Sequence, residues 1–352
     1  MLAFIKTAIA FILAFTQILS PIVASIASGG KGTYYREWNA EMQYSDTWVT
    51  ELQKEPGKDF VILNITDVQL TDLESNGEYG DIAMKTIDKL VNDTQPDLIT
   101  LTGDNAWGMV AYLQLIEKID SYGIPWAPVM GNHDGQRLIS EFWAGEQFIE
   151  ADNCLFKFGP EGMGDGNYII NITQNGRVVE TLFMLDTHSD AESGGYDHLW
   201  NNQIEWYKWA VKGIKEKAGY TVPSICFMHI PCYEYRTAWE EAKYNESTKE
   251  YDNVLYKFTS FGVNHEAVCS PNKNNGFFEV CRELGSTKNI VSGHDHINSS
   301  SILYKGIRLT YGLKTGAGCY WEKEMSGGTT LTIDGLGLVN TTHIYVNPDT
   351  LA

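Results

Sequence analysis

Short apolar runs alternate with stretches of helical periodicity through most of this chain, and the runs end in polar residues of a recurring kind. Phe60 to Ile65 reads as a buried strand and stops at Asp67-Val68-Gln69. Residues 80–93 carry Ile82, Ile87, Leu90 and Val91 at helical spacing, and a second strand at 98–101 then stops at Gly103-Asp104-Asn105. A helix over 110–119 leads to a third run, 126–130, which stops at Gly131-Asn132-His133-Asp134. Alternation of this kind predicts parallel strands joined by right-handed crossovers, with a site beyond their carboxyl ends.

Further on, segments 168–172 and 179–186 predict a hairpin turning at Asn175-Gly176, and Ile204, Tyr207, Val211 and Ile214 mark one face of a helix. A strand at 224–228 stops at His229-Ile230-Pro231, and a helix at 277–284 precedes a strand at 289–292 that runs into Gly293-His294-Asp295-His296. Runs at 302–304, 307–311, 329–333 and 342–346 alternate like antiparallel strands. Two stretches lack a period: 29–58, read as an exposed lead-in, and 232–275, read as an irregular insertion over the pocket. No repeat, linker or low-complexity tract divides residues 59–352, which are expected to form one domain.

Composition adds a compartment and a sign. Lys6, an apolar run from Ala8 to Leu19, Pro21 and the small residues Ala24, Ser25, Ala27 and Ser28 follow the order of a secretory signal. Cleavage is expected between Ala24 and Ser28, giving a secreted protein with no stable membrane insertion; the alternative is an uncleaved anchor formed by residues 7–27. The formal net charge of −19 becomes −20 once Lys6 is removed with residues 1–28. Such a charge disfavours nucleic acid and anionic membranes as partners, so an anionic substrate must be drawn in locally, by metal. Six cysteines in an exported chain permit disulfides, Cys226 with Cys232 and Cys269 with Cys281 being nearest in sequence, yet Cys226 reads equally as a buried thiol.

The polar residues at the strand ends, Asp67, Gln69, Asp104, Asn132, His133, His229, His294 and His296, offer carboxylate, amide and imidazole donors suited to two divalent or trivalent ions. Singly, each has a bland reading: a Gly-Asp is a turn, Asp67 a helix cap, His229 a core histidine. Five such blocks in order, each at a strand end, are a different matter.

Asp67-Val68-Gln69, Gly103-Asp104, Gly131-Asn132-His133-Asp134, the lone His229 and Gly293-His294-Asp295-His296 together resemble the motifs of the calcineurin-like metallophosphoesterases. His229-Ile230-Pro231 with Glu234-Tyr235, and Tyr311-Gly312 with Thr315-Gly316, are similar to the purple-acid-phosphatase-like branch. The resemblance implies an α/β fold, a four-layer α-β-β-α sandwich of two mixed sheets flanked by helices. It implies that Asp67, Asp104 and His296 hold one metal ion, and that Asp104, Asn132, His229 and His294 hold a second, the ions being Fe, Zn, Mn or Mg. Asn132 and His133 would contact the phosphate of a small phosphate ester; His133, oriented by Asp134, would assist the leaving group while metal-activated hydroxide attacks phosphorus.

One departure stands out. The family's first motif has Asp-x-His where this chain has Gln69, so a weakened first ion position is expected, with Gln69 as a neutral oxygen donor better suited to harder ions. The alternative function is a metallophosphoesterase-fold protein with a degraded first site that binds without catalysing.

Overall fold

The computed structural model describes residues 34–72 and 77–351. The secretory signal expected at residues 1–28 lies outside the described residues. Among those described, no helix is long and apolar enough to cross a membrane.

Two mixed sheets carry the molecule. The smaller runs Val339–Tyr345, Gly327–Ile333, Phe60–Ile65, Leu98–Thr102, Trp126–Val129. Its last three strands are parallel, as the alternation predicts, and Gly327–Ile333 pairs antiparallel to Phe60–Ile65. The larger runs Val49–Gln53, Tyr168–Gln174, Arg177–Met184, Ser224–Met228, Thr287–Ser292, Ile307–Tyr311, Ser301–Tyr304.

Alternation along the second sheet explains why its strands read as unbroken apolar runs. Ile170, Ile172, Leu182, Met184, Ile225, Phe227 and Val291 point toward the first sheet, where they meet Leu63, Leu101 and Val129. Their neighbours Ile169, Phe183, Cys226, Met228 and Ile290 point the other way, onto helices Asn201–Ala218 and Phe277–Leu284. A strand buried on both faces has no polar side to show. Helices Glu78–Thr94, Met109–Asp120 and Glu141–Glu150 pack with the first sheet's core, completing the layers expected from the resemblance.

Three regions depart from the sequence reading. The lead-in is not free: Val49–Gln53 forms a parallel edge strand against Tyr168–Gln174, and Trp38, Tyr44 and Trp48 pack around Trp209. Its half-buried, half-exposed pattern gives no clean period to read. The 232–275 segment contains a helix, Glu234–Ala242, whose Tyr235 is buried with its hydroxyl 2.8 Å from the Ile290 carbonyl oxygen. Helix Glu141–Glu150, capped by the Ser140 hydroxyl accepting from the Trp143 N–H, interrupts its apolar pattern with Gly145 and escapes a periodicity search. All six cysteines are unpaired, and Cys226 is a buried thiol.

Candidate metal centre

Each expected site residue sits where a strand of one of the two sheets ends, and the two sets of ends face each other. Asp67, Gln69, Asp104 and His294 all adopt positive φ, between 48° and 78°, a left-handed backbone that turns their side chains sharply inward. Two glycines let the loops touch. A Cβ on Gly131 would collide with the Asp104 backbone and carboxylate, and one on Gly293 with Thr66 Oγ1 and the Asp67 carboxylate.

His229, fully buried, donates from Nδ1 to the Thr102 carbonyl oxygen at 2.8 Å. That bond fixes the ring so that Nε2 faces inward, 2.9 Å from Asn132 Oδ1, 3.3 Å from Asp104 Oδ1 and 3.2 Å from His294 Nδ1. Four acceptor-bearing side chains thus converge on one point, an arrangement that demands a proton or a cation among them. Burial disfavours the charged His229 ring, but Asp104 and Asp67 outweigh it and raise its pKa. Burial, reinforced by His229, drives that of His294 well down. His294 is held by its own N–H donating to Asp67 Oδ2 at 3.0 Å, with Tyr196 edge-on at 4.2 Å. Its Nε2 has no partner.

On the other side, ligand atoms of Asp67, Asp104 and His296 lie within 4.8 Å of one another. His296 donates from Nδ1 to the Tyr320 carbonyl oxygen at 3.0 Å and turns Nε2 toward Asp67 Oδ1, 3.4 Å away. Burial and Lys314 oppose charge on His296, yet Asp67 carries its pKa up to about 9. Burial likewise opposes charge on Asp67, and His296, His229 and Lys314 overcome it, holding the carboxyl far below its usual range. A cation takes the place of the shared proton when it binds such a pair. Both residue sets bring buried acceptors together as a metal site does, and His229 and His296 have their other ring nitrogens committed to backbone carbonyls.

Gln69 is not arranged as a metal donor. Its Nε2 donates to Asp104 Oδ2 at 2.8 Å and its Oε1 accepts from Lys314 Nζ at 2.8 Å. Exchanging the two amide atoms would set acceptor against carboxylate and donor against ammonium, so the network fixes this orientation. Lys314, buried and also donating to the Asp67 carbonyl oxygen at 2.8 Å, is the site residue the sequence reading missed. Burial draws its pKa down to about 8 against the pull of Asp67.

The expectation that Asp134 orients His133 also needs correction. Asp134 is fully buried and accepts from the Gly131 N–H at 2.7 Å, the Asn105 N–H at 2.8 Å, Asn105 Nδ2 at 2.9 Å and the Tyr112 hydroxyl. His133 Nδ1 has no hydrogen-bond partner. His133 is placed instead by its backbone N–H on Asp104 Oδ1 at 2.9 Å and by Trp107, edge-on at 5.1 Å. Burial, with the Asp104 charge, raises the Asp134 pKa to about 6. Asp134→Ala would leave those donors unpaired at about 1–3 kcal/mol each, so the variant should lose several kcal/mol in denaturant melts. An unchanged melt with reduced turnover would return Asp134 to a direct role at His133.

Comparison with known proteins agrees with this geometry. The calcineurin-like phosphoesterase family model matches residues 60–298, well over half of the chain. A probable inactive purple acid phosphatase, number 14 of Arabidopsis thaliana, is 27% identical over 64% of this chain and 60% of its own length. Phosphatase DCR2 of Saccharomyces cerevisiae is 29% identical over 81% of this chain and 52% of its own length. The matches thus span less than two thirds of these curated relatives. Among solved structures, the purple acid phosphatase PPD1 of yellow lupin is 14% identical with a TM-score of 0.45, covering 84% of this chain and 53% of that one. The chain belongs to the calcineurin-like phosphoesterase family, on its purple-acid-phosphatase-like side.

Proposed function

We propose that this protein is a metal-dependent phosphoric ester hydrolase acting on small phosphate esters, as a secreted enzyme. The observation that carries the reading is the convergence on His229 Nε2 of Asp104 Oδ1, Asn132 Oδ1 and His294 Nδ1 within 3.3 Å, beside the first set of Asp67, Asp104 and His296. Metal bound there supplies positive charge to the phosphoryl oxygens and lowers the pKa of water toward neutrality.

The chain's own residues do the rest. Asp104 reaches both sets, one oxygen toward His229 and the other toward Gln69, which makes it the one carboxylate able to join them. Asn132, a member of the second set through its Oδ1, can also offer its amide nitrogen to a phosphoryl oxygen. His133, partly exposed with an uncommitted Nδ1, holds a proton for the departing alkoxide. His229 and His294, with their rings wedged by Thr102 and Tyr196, keep the donors from rotating away.

A second reading is favoured by one feature, the Gln69–Lys314 contact at the first ion position: a protein that binds phosphate or metal without turnover. The word "inactive" in the names of several Arabidopsis relatives is in keeping with it. Purified protein, stripped by chelation and reloaded with Mn, Zn or Mg, should hydrolyse members of a monoester and diester panel only when reloaded. Full turnover after exhaustive chelation would overturn the metal mechanism, and no turnover with metal bound would select the second reading.

A further inference from the structure

We infer that the two ion positions are unequal by construction: Lys314 and Gln69 hold the first one in place of a metal ion, and the chain takes one ion tightly, at Asp104, Asn132, His229 and His294. The inference rests on the metal-centre reading above and concerns how many ions that centre keeps.

The asymmetry begins at Asp104. A carboxylate joining two ions gives one oxygen to each or shares a single oxygen between them, and either way a hydrogen bond on its oxygens weakens it as a bridge. Here Oδ1 faces His229 Nε2 at 3.3 Å, on the second side, but Oδ2 is taken at 2.8 Å by an N–H of Gln69. A ligand pointing a donor hydrogen at the bridging oxygen competes with a cation for it. The amide oxygen cannot help, because the Lys314 ammonium group holds it at 2.8 Å. Lys314 is also tied to the Asp67 carbonyl oxygen at 2.8 Å and is only 3% exposed, so it cannot swing out into solvent to make room. An incoming divalent cation at Asp67, Asp104 and His296 would therefore meet three donors, one N–H and a tethered ammonium group.

The second set meets a donor as well, the His133 backbone N–H on Asp104 Oδ1 at 2.9 Å, but among the described residues the groups around it, Asn132, His229, His294 and the Tyr196 ring, bring no ammonium group against it. The Lys314 ammonium group then supplies part of the positive charge that a first ion would bring, and the Gln69 amide supplies a donor to the Asp104 carboxylate. The substitution of Gln for His in the first motif and the buried lysine read together as one device: remove the imidazole, and bring in a cation that the amide oxygen can anchor.

The test counts metal rather than turnover. Full-length protein is loaded with Mn2+, freed of excess by gel filtration, and assayed for bound metal by mass spectrometry and for spin coupling by electron paramagnetic resonance. Wild type is expected to keep one Mn2+ per chain with an uncoupled signal. Lys314→Met should raise the affinity for a further ion by at least about 10-fold, since a neighbouring like charge is gone, and Gln69→His with Lys314→Met should show a coupled pair. Lys314→Arg, which keeps the charge, should behave as wild type, separating electrostatics from mere packing.

Two tightly held, coupled ions in the wild type would overturn the inference without any variant being needed, and so would a Lys314→Met protein whose second-ion affinity is unchanged. A wild type that keeps no ion would overturn the metal-centre reading itself, and this inference with it. The fold of each variant is checked by its thermal melt against wild type.

Discussion

Asp104→Asn is expected to bring phosphoester turnover to background, a loss of at least about 10³-fold, because a metal centre contributes several kcal/mol and each 1.4 kcal/mol is tenfold in rate. The substitution keeps the shape of the side chain and changes only charge and donor character. One carboxylate oxygen accepts from the His133 N–H at 2.9 Å and faces His229 at 3.3 Å, and the other accepts from Gln69 at 2.8 Å. An asparagine must turn its NH2 toward one of these sides. Facing Gln69 it sets donor against donor; facing His229 it removes a ligand oxygen from the second set and unseats His133. Steady-state rates on the same monoester and diester panel, with bound metal measured in parallel, check this. A variant keeping a tenth of wild-type turnover with normal metal content would mean that Asp104 joins nothing.

His133→Ala should act differently. It removes no acceptor from either ion set, so metal content should hold while kcat falls by roughly 10²–10⁴, the usual worth of a positioned acid. The dependence on leaving group is the sharper readout. An aryl oxide leaves with little need of a proton and an alkoxide needs one badly, so alkyl phosphates should suffer far more than nitrophenyl phosphates. Equal losses on both, or loss of metal, would place His133 in substrate binding or ligation rather than proton transfer. Because the backbone N–H of residue 133 still meets Asp104, the loop should remain in place and the comparison should stay clean.

Much of this centre is legible in the amino-acid sequence, for a physical reason. Buried strands in a two-sheet sandwich are continuous apolar runs, and polar residues placed where a run stops are placed at a sheet edge. Asp67, Asp104, Asn132, His229, His294 and His296 each follow such a run, so pattern and motif imply their convergence. The edge strand Val49–Gln53 and helix Glu141–Glu150 stay hidden because one is half-exposed without a clean period and the other carries a glycine mid-helix.

The direction in which side chains point is another matter. Motif order groups Asp134 with His133, but a buried carboxylate goes to the donors nearest its Cα, and here those are Gly131, Asn105 and Tyr112. That Gln69 stands where the family has a histidine, and hence that the first ion position is altered, is a matter of chemical type at one position and is plain from the chain alone. What the amide touches is not, because the answer lies in Lys314, 245 residues further along. Local periodicity is therefore enough for alternating strands and helices with a site at the strand ends, and the resemblance of the motifs to a known family supplies the layered α/β architecture, the family and the residues gathered there. Which atom of each residue faces which was left to folding, since hydrogen-bond partners brought together from distant parts of the chain, and not the spacing of residues, set the orientation of Gln69, Asp134 and Lys314.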